Sequence, residues 1–539
     1  VYFVNFADQN IYRVPVPKRT AAGNEEVEQI TDSGVDVRFA DFAVDAERNR
    51  LLCVVERHYE DREPANCIAA VDLDTGALTT LAEGHDFYAS PCLSPDGNRL
   101  AFIAWDHPNM PWDGTTLQIA DLSGEPTALT NVHTIAGGAQ ESVQQPQWQG
   151  DGALLFISDA NGFWNLYRFD DSGIYCVLED GADYAGPPWV LDARSYVQVD
   201  HEHVVVRRQG SEGEELVLAN TRTTLATPLA SSDATRLSYA SPTLHDGALH
   251  FITTFRDRLP AIERMPLTGG APETLKSAGD PQLAKEDLSL GQALTFPTRD
   301  GLEAHAYFYA PANSACRAAD AERPPLLVLS HGGPTSATSS SLSLPIQYYT
   351  SRGWAVLDVN YRGSTGYGRA YRTALNGQWG ILDVTDCEDG VRHLVKTGRV
   401  DGERIAIRGG SAGGYTTLAA LTSTHTFRAG ASHYGIGDLT ALARDTHKFE
   451  SRYLEVLLGD ESALVERSPI NHLDAFNCPV IFFQGSDDKV VPPNQSQAMA
   501  QALRSKGIPV AYLEFAGEGH GFRDAENIIR TIESEYALS

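Results

Sequence analysis

Long apolar runs and positive charges are both scarce in this chain of 539 residues. No run approaches the ~20 apolar residues that a membrane-spanning helix requires. Lys and Arg total 42 against 71 Asp and Glu, so the net charge is −29. A chain this acidic is not expected to bind nucleic acid or an anionic membrane surface. The composition therefore predicts a soluble protein without a nucleic-acid or membrane partner.

The chain also lacks the patterns that bind metals or phosphates. Its seven cysteines are odd in number and scattered, and no two of them form a Cys-x-x-Cys pair. Reduced thiols and a cytoplasmic location are therefore expected. No cluster has metal-ligand spacing, and no glycine-rich loop has the pattern that binds nucleotide phosphates. We expect neither a metal nor a cofactor.

One stretch has the pattern of a catalytic turn. Gly409-Gly410-Ser411-Ala412-Gly413-Gly414 follows a short apolar run and precedes a helix-forming segment. A strand, a Gly-x-Ser-x-Gly turn and a helix make up the nucleophile elbow of α/β-hydrolases, where the serine is held strained and exposed. The alternative is a loop rich in glycine and serine that only links a strand to a helix.

A nucleophilic serine needs a base and a group that orients the base, and in this fold they follow in the order Ser, Asp or Glu, His. An apolar strand opens into Asp487 and Asp488, and the next strand runs into the glycine-flanked His520. We predict the triad Ser411, Asp487 and His520. Asp488 is the competing acid and is assigned to shaping the turn.

The third requirement is an oxyanion hole. A predicted strand is followed directly by His331-Gly332-Gly333-Pro334. In hydrolases the backbone N–H groups of such an element act together with the N–H of the residue after the nucleophile. We predict Gly332 or Gly333 and Ala412 as the donors. The alternative is a tight turn with no catalytic role.

These motifs, together with residues 360–368 and 487–492, resemble the prolyl oligopeptidase family of serine peptidases. They are most similar to its acylaminoacyl-peptidase branch and to bacterial dipeptidyl-aminopeptidase-like relatives. Two positions depart from the family pattern. His331 stands where proline-specific members and dipeptidyl peptidases have an oxyanion-binding tyrosine. Lys489 stands where many relatives have an arginine that holds a substrate carbonyl, and it supplies the charge without the bidentate fork.

The N-terminal half has a repeating pattern of short apolar runs and turns. Turn aspartates recur with gaps of 51, 55, 41 and 54 residues, at Asp45, Asp96, Asp151, Asp192 and Asp246. This is the period of a four-stranded propeller blade, and a β-sandwich is the alternative. Because family members close a ring of seven, we expect a seven-bladed β-propeller whose N-terminal part is missing from this chain.

The length predicts two domains, and a polar, turn-rich stretch at 276–282 marks their boundary. We expect a β-propeller at 1–280 and a catalytic domain at 281–539. In the second domain, strands alternate with helices after an initial hairpin. This alternation predicts an α/β-hydrolase domain with a doubly wound, mostly parallel sheet.

Some residues are candidates for substrate binding. Val490, Ile436, Leu439 and Phe449 are apolar and follow the strands of the predicted site, so they are candidates for a side-chain pocket. Ordinary core packing is the alternative for each of them. Glu141 belongs to a propeller segment that resembles the domain-facing loops of the branch. It is a candidate for binding a free substrate amine, with a solvated loop acid as the alternative.

Three functions are compatible with these observations. The resemblance implies a serine peptidase that acts on short peptides as an aminopeptidase, acylaminoacyl- or dipeptidyl-type exopeptidase, with access gated by the propeller. An amidase or esterase for small molecules, or an oligopeptide endopeptidase, is the alternative on the same triad. A binding propeller with a decayed hydrolase domain is disfavoured by the intact motifs. The expected partner is a short peptide or peptide-like amide, and homo-oligomerisation is left open.

Overall fold

The computed structural model describes residues 1–15, 27–123, 128–210, 213–229, 235–319 and 321–538. The chain packs into two compact units. One comprises Val1–Arg208, Leu216–Leu229 and Ser241–Leu244, and the other comprises Gln209–Glu215, Ala230–Ala240 and His245–Ser539. The predicted boundary near residue 280 falls inside the second unit, and the division into 1–280 and 281–539 stays a prediction. No helix in the described ranges has the length and apolar character needed to cross a membrane.

Six small sheets follow one another along the N-terminal half, each with its strands in chain order. The first sheet has three strands: β1 (Tyr2–Val4), β2 (Ile11–Arg13) and β3 (Glu28–Gln29). The other five have four strands each. They are β4 (Val37–Asp45), β5 (Arg50–Arg57), β6 (Ala65–Asp72) and β7 (Leu78–Ala82); β8 (Phe87–Leu93), β9 (Arg99–Trp105), β10 (Thr115–Ser123) and β11 (Ala128–Gly138); β12 (Val143–Trp148), β13 (Leu154–Ser158), β14 (Asn165–Asp170) and β15 (Gly173–Leu178); β16 (Tyr196–Gln198), β17 (His203–Gly210), β18 (Gly213–Asn220) and β19 (Ala226–Pro228); β20 (Arg236–His245), β21 (Ala248–Phe255), β22 (Ala261–Pro266) and β23 (Glu273–Ser277).

These sheets are the blades of a β-propeller, as predicted. The apolar runs expected after turn aspartates form the second strands β5, β9, β13 and β21. Neighbouring sheets pack face to face and bury each other's apolar side chains. For example, Leu52 and Val54 of β5 pack with Leu100 and Phe102 of β9. The described residues form six blades, not the predicted seven. The N-terminal segment contains a third strand, β3, which pairs with β2. Strands β1, β2 and β3 therefore form a separate sheet.

The second unit contains an eight-stranded sheet. Its strands are β24 (Gln292–Pro297), β25 (Glu303–Tyr309), β26 (Leu326–Ser330), β27 (Ala355–Asn360), β28 (Ile405–Gly410), β29 (Ala429–His433), β30 (Val480–Gly485) and β31 (Val510–Phe515). The spatial order is β24-β25-β27-β26-β28-β29-β30-β31. The β24/β25 and β25/β27 pairs are antiparallel, and the other five pairs are parallel.

Helices cover both faces of this sheet. In the described residues they are α1 (Leu344–Thr350), α2 (Gly368–Thr373), α3 (Leu382–Lys396), α4 (Ala412–Ser423), α5 (Leu439–Asp445), α6 (Tyr453–Leu458), α7 (Ser462–Glu466), α8 (Asn494–Ser505) and α9 (Ala525–Leu538), with short 3-10 helices at Lys285–Asp287, Lys448–Glu450, Pro469–Asn471 and Leu473–Ala475. Val356 of β27 packs with Ile346 of α1 and Tyr536 of α9. The next residue, Leu357, points to the opposite face, where any side chain at Gly390 of α3 would collide with it. The doubly wound, mostly parallel sheet is therefore confirmed.

A buried ion network joins this sheet to two of its helices. Glu535 of α9 is 1% exposed at its side chain and lies 3.1 Å from Arg408 and 2.6 Å from His433. The hydroxyl of Tyr349 donates to the same carboxylate at 2.7 Å. Burial by itself would raise the pKa of Glu535, but Arg408, His433 and Tyr349 together lower it to about 2. The charged carboxylate thus holds α9 against β28, β29 and α1.

Glu535→Gln should destabilise the protein in a pH-dependent way. A carboxyl with a pKa of about 2 when folded and 4.5 when unfolded stabilises the fold above pH 4.5, and this stabilisation is lost as the pH falls towards 2. The variant is expected to lose about 3 kcal/mol at neutral pH and progressively less in acid. Urea unfolding near pH 7 and near pH 3 measures both effects. Glu533→Gln, an exposed position on α9, is the control. Equal losses by E535Q at the two pH values would contradict the ionic origin.

Candidate active site

Ser411 lies in a sharp turn between β28 and α4. Its backbone has φ 58° and ψ −123°, a strained combination for a residue with a side chain. The turn closes because its neighbours are glycines: a side chain at Gly409 would collide with the carbonyl of Gly413, and one at Gly413 with the carbonyl of Ser330. The Ser411 N–H donates to the carbonyl oxygen of His433 at 2.9 Å. The strand, turn and helix are therefore arranged as the sequence predicts.

His520 is paired with Asp488 and not with the predicted Asp487. Its Nδ1 lies 2.8 Å from Asp488 Oδ2, and the Asp488 side chain is completely buried. Asp487 is exposed, and its carboxylate accepts a hydrogen bond from the Ser486 hydroxyl at 2.8 Å. Successive side chains at this turn point to opposite sides, so only the second aspartate faces the histidine. The prediction of Asp487 as the partner of His520 is therefore wrong.

Asp488 also shapes the turn, as the sequence predicts. Its Oδ1 accepts hydrogen bonds from the backbone N–H groups of Val490 and Val491, both at 2.9 Å. One carboxylate oxygen thus holds the backbone while the other holds the imidazole. The turn cannot relax without also moving His520.

Tyr434 connects His520 to the Ser411 turn. Its ring centroid lies 4.7 Å from that of the His520 imidazole, and a side chain at Gly410 would contact the Tyr434 ring. Tyr434 follows β29 with φ 39°. Ser411, Tyr434, Asp488 and His520 follow β28, β29, β30 and β31, which are parallel neighbours. Their side chains therefore gather at the carboxyl edge of the sheet, where α/β-sheet active sites form.

The predicted oxyanion element lies beside the Ser411 turn. A side chain at Gly332 would come within 3.4 Å of Ser411 Cβ. Gly333 and Ala412 line the same pocket as Ser411. The absence of side chains at the two glycines lets the backbone approach the place where a substrate carbonyl would lie. The N–H groups of Gly332 or Gly333 and Ala412 stay the predicted donors.

His331 is held as a neutral ring next to these glycines. Its Nδ1 lies 2.8 Å from the Gly332 carbonyl oxygen, and its Nε2 lies 2.7 Å from Ser364 Oγ. The Ser364 hydroxyl in turn donates to the Tyr361 carbonyl oxygen at 2.7 Å. Burial lowers the pKa of His331 to about 4, so the ring is uncharged at neutral pH. By holding the carbonyl of Gly332, it also orients the Gly333 N–H, which points to the other side of the same planar peptide.

A largely apolar pocket opens beside Ser411. Its volume is about 460 Å³ with the open mouth included. The predicted Ile436 and Val490 line it. The other apolar side chains of the lining belong to Pro334, Trp379, Leu442, Tyr453, Leu454, Leu457 and Val491. Glu450 adds a carboxylate to this apolar wall.

The other predicted substrate residues lie elsewhere. Leu439, which is fully buried, and Phe449 are not among the described residues that line this pocket. Lys489 is exposed in the turn after β30. Glu141 belongs to the first unit, between β11 and β12, and its Oε1 accepts a hydrogen bond from the Ser158 hydroxyl at 2.7 Å. Substrate binding by Lys489 and Glu141 stays a prediction.

Sequence reasoning missed most of the pocket lining, including Trp379 and Glu450. The signal used for the site was a polar residue or glycine directly after a predicted strand. Trp379 lies between α2 and α3, and Glu450 lies in a 3-10 helix after α5, so neither carries that signal. Within the described ranges, no three His, Cys, Asp or Glu side chains are grouped so as to hold a metal ion.

Known proteins resemble this chain in both sequence and structure. A model of the prolyl oligopeptidase family matches residues 340–538. Dipeptidyl aminopeptidase BIII of Pseudoxanthomonas mexicana is 30% identical over 430 residues, which are 77% of this chain and 56% of that protein. The structure of a puromycin-hydrolyzing peptidase of Mycobacterium tuberculosis is 36% identical, with a TM-score of 0.93. A puromycin hydrolase structure is 33% identical, with a TM-score of 0.92.

The extent of these matches differs between the two kinds of relative. This chain spans only 56% of the length of the dipeptidyl aminopeptidase. Each of the two solved structures matches 100% of this chain, and the match covers 83% of that structure's chain. The alignments to these two structures, with overall identities of 33% and 36%, therefore include both the propeller and the hydrolase sheet of this chain. The chain belongs to the prolyl oligopeptidase family of serine peptidases.

Proposed function

We propose that this chain is a peptidase in which Ser411 is the nucleophile, His520 the general base and Asp488 the group that orients His520. The observation that carries this proposal is the 2.8 Å contact between His520 and the buried Asp488, at the same sheet edge as the strained Ser411 turn. A carboxylate on Nδ1 selects the tautomer whose Nε2 is unprotonated. That nitrogen is then available to take the proton of the serine hydroxyl.

The reaction follows from these roles. Ser411 Oγ attacks the scissile carbonyl carbon while His520 accepts the hydroxyl proton, and the carbonyl oxygen becomes an oxyanion. The N–H groups of Ala412 and of Gly332 or Gly333 stabilise that charge. His520 then gives the proton to the leaving amine, which leaves an acyl-enzyme on Ser411. Water, deprotonated by His520, releases the acyl group and restores the serine.

The substrate we propose is a short peptide or aminoacyl amide with a free amino terminus. Support comes from the relatives, one named a dipeptidyl aminopeptidase and two named for the hydrolysis of puromycin. Puromycin is itself an aminoacyl amide with a free α-amino group. Glu141 is our candidate for binding that amine, because its contact with Ser158 uses Oε1 and leaves Oε2 for an ammonium group.

A small-molecule amidase is the second candidate function. The two puromycin-hydrolysing relatives favour it, because their named substrate is not a peptide. The same triad and acyl-enzyme serve both functions, so the distinction lies only in which amides enter the pocket. The rate of amino-acid release from peptides, compared with the rate of release from puromycin, distinguishes the two candidate functions.

Ser411→Ala should abolish catalysis without unfolding the protein. Removal of the nucleophile is expected to lower kcat by about 10⁴-fold or more. Hydrolysis of aminoacyl anilides measures the rate, and a fluorophosphonate probe followed by peptide mapping should label Ser411 in the wild type alone. Ser486→Ala, at the neighbouring turn, is the control. Labelling of another residue would overturn the assignment of the nucleophile.

Asp488→Asn and Asp487→Asn should behave very differently. An amide at 488 presents a donor or a neutral acceptor to His520 and no longer stabilises its protonated form, so kcat is expected to fall by about 10⁴-fold. Asp487→Asn changes an exposed carboxylate and should leave kcat close to that of the wild type. Circular dichroism shows whether either variant is misfolded. The reverse order of the two rates would restore Asp487 as the triad acid.

Peptide length and amino terminus should both affect cleavage. We expect short peptides with free amino termini to lose one or two residues at a time, whereas casein-sized chains persist. A length series of one peptide, from two to about forty residues, is digested in free and N-acetylated forms, and the products are identified by mass. Steady internal cleavage of the longest members would identify an endopeptidase. Preference for the acetylated forms would identify an acylaminoacyl-type enzyme and contradict the proposed free amine.

A further inference from the structure

Glu450 is an unused hydrogen-bond acceptor in the pocket beside Ser411. Its side chain is 23% exposed, and His447 Nε2 lies 3.6 Å from Glu450 Oε2. No described residue donates a hydrogen bond to its carboxylate. Burial raises the pKa of Glu450 above its usual value, and the imidazoles of His447 and His520 act against that rise. A carboxylate in this position gains most from a donor that enters with the substrate.

Trp379 lines the same pocket and carries a buried donor without a partner among the described residues. The residue is 2% exposed, and its buried indole Nε1–H has no hydrogen-bond partner in the described part of the chain. The ring packs against Tyr415, with centroids 4.3 Å apart, and the Trp379 backbone N–H donates to Leu457 at 3.2 Å. The indole is therefore held in place while its N–H is unpaired. A buried donor without a partner is unfavourable, and a ligand oxygen that reaches it would remove that cost.

The rest of the pocket wall suits a flat apolar group. Ile436, Leu442, Leu454 and Leu457 surround the space, and the Tyr453 hydroxyl is already bonded to Thr335 at 2.6 Å. A phenylalanine ring would fill such a space and leave Glu450 and Trp379 without partners. A lysine ammonium would pair with Glu450, but it cannot accept from Trp379 and would lose its hydration. A phenol hydroxyl both donates and accepts, and it carries no charge.

We propose that this pocket selects tyrosine as the residue that supplies the scissile carbonyl, with Glu450 accepting from the phenol and Trp379 donating to it. This inference rests on the proposed function, because it assumes that the pocket receives the side chain next to the carbonyl attacked by Ser411. Glu450 and Trp379 are then specificity-determining residues. A site that hydrogen-bonds a substrate hydroxyl discriminates against the analogue that lacks it, because its own polar groups are left unpaired.

The test uses five aminoacyl anilides that differ only at the side chain: tyrosine, phenylalanine, O-methyltyrosine, lysine, and norleucine as the uncharged match for lysine. The wild type should prefer tyrosine to phenylalanine by about tenfold in kcat/KM, since a hydrogen bond to a charged group has about that effect. O-methyltyrosine, which can accept but not donate, should lie between them. Glu450→Gln and Trp379→Phe should each reduce the tyrosine-to-phenylalanine ratio. Glu455→Gln, an exposed carboxylate on α6, should not change it.

The ratio is measured within one preparation, so a change in His520 or in folding affects both substrates alike and cancels. A second measurement does not need turnover: calorimetry with Ser411→Ala should show tyrosinamide binding more tightly than phenylalaninamide, with the difference reduced by adding Glu450→Gln. Equal use and equal binding of the two, or ratios unaffected by both pocket variants, would overturn the proposal. Preference for lysine over norleucine would also overturn it and show that Glu450 selects charge.

Failure of the proposed function gives a different result. In that case the fluorophosphonate would not label Ser411 and none of the anilides would be hydrolysed, whereas the binding difference between tyrosinamide and phenylalaninamide would persist. Labelling of Ser411 with no preference among the anilides would keep the function and reject the selectivity. If Glu450→Gln lowered the rates for all free-amine substrates equally and spared N-acetylated ones, Glu450 would bind the α-amine and the tyrosine proposal would be rejected.

Discussion

The active edge of the sheet depends on one close contact between backbones, where α4 begins against the end of β26. Gly413 lies so near the carbonyl of Ser330 that any side chain would collide with it, and the Ser330 hydroxyl donates to the Gly413 carbonyl at 2.9 Å. A backbone like that of Ser411 costs about 1–3 kcal/mol, and contacts at the centre of a sheet can offset this. The same contact brings Gly332 next to Ser411. Ser411 and the predicted oxyanion element are thus positioned together.

The polar and charged residues around this turn form two separate groups, one on each side of β29. The His433 carbonyl accepts the Ser411 N–H, while the His433 side chain belongs to the buried Glu535 network with Arg408. On the other side, His520 pairs with the buried Asp488, and burial lowers the pKa of His331 to about 4, so that its ring is neutral at neutral pH. In the proposed reaction, a neutral ring at this position leaves stabilisation of the developing charge to the backbone N–H groups.

The sequence was sufficient wherever a local steric rule applied. Glycines around Ser411 and His331 reveal the elbow and the oxyanion element, because no other residue fits these turns. The choice between Asp487 and Asp488 has no such rule, since it depends on which way one side chain points. The prediction of the propeller repeat was limited in the same way. The turn before β17 is formed by Asp200, which accepts from the N–H groups of Glu202 and His203, and not by the Asp192 used in the repeat. Composition finds the spacing of turns but does not identify which aspartate forms each one.

The pocket was less predictable than the triad for a physical reason. The triad residues follow neighbouring strands, so their meeting follows from sheet topology. Trp379 and Glu450 come from connecting segments, which meet only through long-range packing such as that of Trp379 on Tyr415. Segments of this kind vary more than the elements they connect. In the proposed enzyme, groups at the ends of the strands carry out the reaction, and groups on the connections select the side chain. Family membership can therefore indicate the chemistry of a chain without indicating its substrate.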